Sequence, residues 1–123
     1  MKLKRPTILA LCAIIFLLTT TMWLLWHYTL LNIQIAFAAE QSQIFEETRN
    51  KALSTSIRGE AVRYLEYIDD YYPSGTKQDV GSLLDEIVEH NRDIAKRDIV
   101  AHLRATTGKD FGNDPKNWIK KFK

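Results

Sequence analysis

No disulfide can form within this chain, because its single cysteine, Cys12, lies inside an apolar run. A small domain without disulfides must be held by helix packing, by partners, or by both. Glycine and proline are also missing from residue 7 to residue 58, so nothing there marks a turn. Strand signals are lacking: valine and isoleucine fall at helical spacing, not in alternation. A basic excess is absent where one would matter. From residue 41 onward, 14 basic and 14 acidic residues cancel, which excludes a general nucleic-acid grip.

What the sequence does have is an apolar run over 7–26, TILALCAIIFLLTTTMWLLW, with no charge in it. At about 1.5 Å per residue it makes roughly 30 Å of helix, the thickness of a bilayer's hydrocarbon core. Lys2, Lys4 and Arg5 precede it, and Glu40, Glu46 and Glu47 follow. The positive-inside rule then puts the N-terminus in the cytoplasm and the C-terminal part on the periplasmic or extracellular side of the inner (plasma) membrane. Trp23, Trp26 and Tyr28 stand at the far end, where amphipathic rings favour the headgroup layer. Cys12 reads as a small apolar contact. A lipoprotein cysteine is disfavoured by the bulky Leu11 before it. A cleaved signal peptide is the rival reading, because Ala36-Phe37-Ala38 before Ala39 fits an A-x-A site and would release a secreted form near Ala38. The apolar core is longer than such peptides use, which favours an uncleaved anchor.

The chain divides into a cytoplasmic tail (1–6), a transmembrane helix (7–28), a helical stalk (29–55) and a small all-α domain (57–123). Residues 43–53 are good helix formers, so one helix is expected to run from the membrane to about Ser54. Ile44, Phe45, Thr48, Ala52 and Leu53 make an imperfect stripe. A homodimer through the stalk stays open, although the pattern falls short of several heptads. Ser54, Thr55 and Ser56 offer hydroxyls to cap the next helix, which carries Ala61, Leu65, Ile68 and Tyr72 and stops at Pro73. Pro73-Ser74-Gly75 is a turn. Thr76 to Asp79 has capping-box spacing, ahead of an apolar stripe of Val80, Leu83, Leu84, Ile87 and Val88. Asn91-Arg92-Asp93 reads as a corner before a further stripe, Ile94, Ala95, Ile99, Val100 and Leu103. Gly108 ends that helix. Asp114 and Pro115 start a short last one with Trp118, Ile119 and Phe122 on its apolar side. Four helices with short connections favour antiparallel neighbours.

Two stretches carry a resemblance: Tyr71-Tyr72-Pro73-Ser74-Gly75-Thr76, and the run from Thr107-Gly108 through Asp110-Phe111-Gly112 to Asp114-Pro115 and Trp118. The second is similar to the TGxDxGxDPxxW-type ending of bacterial HEAT-like helical-repeat proteins. Residues 58–122, about half of the chain, resemble small bacterial membrane-anchored proteins with that ending. The resemblance implies a structural motif at Pro73, Gly75, Gly108, Asp110, Gly112, Asp114, Pro115 and Trp118, and a surface used for binding. The sequence departs from a solenoid in having no internal repeat and too few helical pairs to stand as one.

Catalytic motifs are weak. Asp110-Phe111-Gly112 matches a kinase tripeptide, but the glycine-rich and catalytic loops are missing. Gly75-Thr76-Lys77 and Gly108-Lys109 lack the upstream glycine of a phosphate loop. Glu86 with His90, and Asp98 with His102, are i, i+4 pairs. On two paired helices they would make a metal site, the alternative to an interaction role. Lys116, Lys120 and Lys121 cluster about Trp118 and read as a solvated helix end or an anionic contact. Tyr67 lies off its helix's stripe and is a candidate contact residue. The reading that results is a single-pass, membrane-anchored helical module for contact with an unknown protein partner. It is not an enzyme and uses no cofactor. Beyond the metal- or ligand-binding alternative stands a structural subunit of a membrane complex, its anchor packed on other helices.

Overall fold

The computed structural model describes residues 4–123, and Lys2 of the basic N-terminal cluster lies outside the described residues. Four helices follow in order: α1 (Arg5–Ser54), α2 (Arg58–Asp70), α3 (Leu83–Thr107) and α4 (Pro115–Phe122). Among the described residues there is no strand. The protein is all-α, as its periodicities predict.

The chain forms two units, Met1–Ile33 and Gln34–Lys123. In the first, the uninterrupted apolar composition yields helix and nothing else. Its large side chains are uncovered: Leu9 is 71 % exposed, Phe16 70 % and Met22 74 %. Thr19, Thr20 and Thr21 return their hydroxyls to carbonyls one turn back, at Phe16 and Leu17, so they add no unpaired polar group to the helix surface. This is a helix long and apolar enough to cross a membrane.

The second unit begins at Gln34, not at residue 57. Ala38, Gln41, Phe45, Thr48 and Ala52 are buried in it, at the three- and four-residue spacing of a helix face. The turns expected as a stalk are therefore a core helix. Their stripe is spent inside the chain, because Phe45 and Ala52 pack with Leu65, Ile68, Val88, Ile99, Leu103 and Trp118 in one cluster. α3 runs parallel to this part of α1: Asn91 bonds to Ser42, and Asp98 pairs with Arg49. α2 is the return limb. Its beginning meets the end of α1, where Thr55 donates to Glu60 at 2.7 Å. Its end meets an earlier turn, where the rings of Tyr71 and Phe45 lie 5.9 Å apart.

Several local expectations are corrected. α2 starts after Ile57, whose side chain caps nothing. Thr55 instead ties the connection by accepting from the Ile57 N–H at 3.1 Å. α2 ends at Asp70, and Tyr72 is held at φ 35° ahead of Pro73. Thr76 to Asp79 caps no helix. Ser82 does so, accepting from the Asp85 N–H. Asn91-Arg92-Asp93 is not a corner, because α3 is continuous for 25 residues. The three helices expected ahead of the last short one in 57–123 are therefore two. The buried face of α3 is Asp85, Val88, Arg92, Ala95, Ile99, Val100 and Leu103. Of the predicted stripe, Val80, Leu83 and Ile87 are exposed, whereas Leu84 packs against the core and Val88 lies in it.

Candidate functional site

Two buried charges hold the compact unit's working surface in place. Asp85 accepts from the Ser74 hydroxyl at 2.6 Å and from the Gly75 and Gly81 N–H groups at 3.1 Å each. It gathers the 71–82 connection around one carboxylate. Its pKa is held below the ordinary carboxylate range, chiefly by the Ser74 bond; burial opposes this, and the Gly81 and Gly75 bonds and the Arg92 charge reinforce it. Arg92 donates at 2.6 Å to the Ile68 carbonyl and at 2.6 Å to the Tyr72 carbonyl. Its guanidinium also lies 4.7 Å from the Phe45 ring centroid. A cation is thus placed at the carbonyl end of α2, where the helix dipole and unpaired acceptors favour it.

Gly75 and Pro73 do what the turn requires. Gly75 has φ 79°, and a Cβ there would sit 2.2 Å from Val80 Cγ2. Pro73 accepts from the Thr76 N–H and hydroxyl. Together they leave Tyr71 and Tyr72 at the surface end of α2. The Tyr71 phenol is pushed up, first by burial and then by its neighbours Tyr67, Glu40 and Tyr72.

The closing segment behaves as its local chemistry predicts. Gly108 takes φ 65° and returns its N–H to the Arg104 carbonyl. Asp110 accepts from the Gly112 N–H at 2.9 Å and from Arg104 at 3.1 Å. Both contacts hold its pKa low, the Gly112 bond more strongly. Asp114 caps α4 by accepting from the Lys116 N–H, and Pro115 takes the first turn. Trp118 is fully buried, its indole N–H donating to the Gly112 carbonyl at 2.8 Å. Its ring meets Phe111 edge-on with centroids 4.9 Å apart. Trp118 is the lid of the core.

The sequence-predicted basic cluster, Lys116, Lys120 and Lys121, is exposed. Lys116 and Lys120 line a shallow cavity of about 370 Å³ opposite Glu66, Asp69 and Asp70. Lys123 pairs with Glu66. Lys121 lies against the Phe111 ring instead. The proposed metal ligands do not converge. Glu86, His90, Asp98 and His102 all stand on α3, so Glu86 and His102 are about 24 Å apart along the axis. His102 bonds to the Thr55 carbonyl, and Asp98 pairs with Arg49. Among the described residues no group of three or more metal-ligating side chains is placed to hold an ion.

Tyr67 is where the surface opens. It is 45 % exposed and borders two hollows. One, of about 510 Å³, runs between α1 and α2 and is lined by Ile44, Glu47, Thr48, Lys51, Arg63 and Tyr64 among others. The other, of about 690 Å³, is shared with Arg63, Tyr71, Tyr72 and Pro73. Periodicity marks Tyr67 as off its helix's core face. It cannot reveal the α1 wall of the groove, because that wall exists only once 44–51 is recognised as part of the domain. Compared with known protein families, curated proteins and solved structures, the chain matches none.

Proposed function

We propose that this chain is a single-pass membrane protein whose helical unit offers the Tyr67 groove to a protein partner, without catalysis. The observation that carries the reading is the groove itself. Ile44, Tyr64 and Tyr67 line it together with Thr48, and Glu47, Lys51, Glu60 and Arg63 supply both signs of charge. A site of that composition suits an apolar side chain flanked by mixed charges, as protein surfaces present. The resemblance of the Thr107–Trp118 run to the ending of HEAT-like proteins is in keeping with the same reading, since such units serve as binding surfaces. So does the use of the buried charges: Asp85 and Arg92 spend their hydrogen bonds on holding loops and helix ends.

The uncovered run of α1 supports the anchor. Ala38, at the rival cleavage site, is 5 % exposed within a continuous helix. Cleavage during export precedes folding, so the length of the apolar core is what favours an uncleaved chain.

The test is photocrosslinking of the full chain in its membranes, with benzoylphenylalanine at Tyr67 or, as control, at Lys109. The chain is expected to stay in the membrane pellet through an alkaline wash. A discrete adduct with another protein is expected from position 67 alone. Release by the wash would refute the anchor. Retention without an adduct at 67 would refute the interaction role.

A further inference from the structure

Three apolar side chains stand uncovered at one pole of the compact unit: Val80 is 78 % exposed, Leu83 71 % and Ile87 45 %. The pole is the one where the chain comes in. Gln78 reaches the buried Gln41 at 2.8 Å, and the Lys77 ammonium lies 4.4 Å from the Phe37 ring centroid and 4.2 Å from that of Tyr72. Ser42–Asn91 and Arg49–Asp98 share one offset of 49 residues. The same offset puts Leu83 level with Gln34. That turn of α1 is still free of charge, because no acidic or basic residue occurs between Arg5 and Glu40. The uncharged stretch is about 50 Å of helix, against roughly 40–45 Å for a bilayer with its headgroups. With the span at 7–28, Gln34 lies about 9 Å past its end, at the outer side of the headgroup layer.

The opposite pole has another character. Its loops hold Thr55, Ser56, Lys109, Asp110, Asn113 and Asp114, with Ile57 the apolar exception. The near pole adds Tyr72 and Lys77 to its aliphatic residues, and its exposed polar members are Ser74, Thr76 and Asp79. A tyrosine and a lysine whose ammonium lies over aromatic rings are groups that suit a headgroup layer.

We propose that Val80 and Leu83 reach into the headgroup layer of the bilayer that holds α1, with Ile87 one turn further out. The compact unit then has two attachments to one membrane, the spanning helix and this pole. The inference rests on the anchor reading above.

The experiment uses the full chain with Cys12→Ser and one new cysteine carrying the environment-sensitive dye NBD. The chain is reconstituted in phosphatidylethanolamine–phosphatidylglycerol vesicles with or without brominated acyl chains. Val80→Cys and Leu83→Cys report the near pole, Phe16→Cys the apolar run and Lys109→Cys the opposite pole. Val80, in the connection, and Leu83, the first residue of α3, are both solvent-exposed, so the substitutions spare the core. Brominated lipid is expected to cut emission at 16, 80 and 83 by at least about twofold and to leave 109 unchanged, as for side chains held in the interface. Quenching at 16 but not at 80 or 83 overturns this inference and leaves the anchor standing. No quenching at 16 overturns both. Blue-shifted emission at 80 that bromine leaves intact and protein dilution abolishes would assign the patch to a second copy, which also overturns it.

Discussion

Arg92 shows how much one residue can organise. It is 3 % exposed, yet its charge is met by the Glu89 carboxylate, two backbone carbonyls and an aromatic face. Removing one partner from such an arrangement typically costs about 3–5 kcal/mol, because the others are left buried and unpaired. Asp85 is the acidic counterpart, and its behaviour depends on pH. Its folded pKa lies below the unfolded value, so ionisation stabilises the fold at any pH above the ordinary carboxylate range. That contribution fades as pH falls through this range towards the depressed native pKa. Asp85→Asn should therefore cost about 1–3 kcal/mol at neutral pH, with two backbone donors left poorly served. The gap from the parent protein should close as the pH falls through and below about 4. Urea unfolding of both proteins across that interval measures it; a gap that widens in acid would contradict the assignment.

At the scale of elements, α3 is the piece most easily misread. Its seam places Asp85 and Arg92 seven residues apart among Val88, Ala95, Ile99 and Leu103. Apolar periodicity cannot see a carboxylate or a guanidinium that is buried because it is fully bonded. Polarity at those positions extends the apparent stripe from Leu84 and Val88 to Val80, Leu83 and Ile87, and makes Asn91-Arg92-Asp93 look like a bend. The ends of the helices are a different matter. Gly108, Asp114 and Pro115 act through contacts within a few residues, so local chemistry is enough to identify them. Continuity of α3 has a direct consequence. Asn91→Pro would remove a mid-helix N–H and crowd the Ile87 carbonyl, at a cost of about 3 kcal/mol or more. Asn91→Ala loses only the bond to Ser42 and should cost about 1 kcal/mol. Thermal unfolding of the two variants compares them. A proline tolerated as well as alanine would restore the bend.

For the molecule as a whole, the informative boundary is the one between its two units. A fragment spanning Gln34–Lys123 retains Phe45 and Ala52, both at most 1 % exposed. A fragment starting at residue 57 loses them, together with Gln41, Ser42 and Arg49, the partners of Gln78, Asn91 and Asp98. Loss of a buried phenylalanine alone costs about 3–5 kcal/mol, much of what a small domain has. The longer fragment should unfold cooperatively on heating, followed by circular dichroism, and the shorter should show no transition. Equal cooperativity in both would return 34–54 to the role of a stalk. The apolar run over 7–26 was legible because length and composition suffice for it. The domain's true beginning was not, since Phe45 and Ala52 look like a sparse stripe until α2 and α3 are set against them.

Lys77 carries one more consequence. Its ammonium lies over the rings of both Phe37 and Tyr72, where circulating π electrons shield nearby nuclei. The terminal methylene protons of this one lysine should resonate upfield of the others in the chain. A magnetic signature of that kind would follow the seating of the 71–82 connection on the first turns of the compact unit, with no label attached.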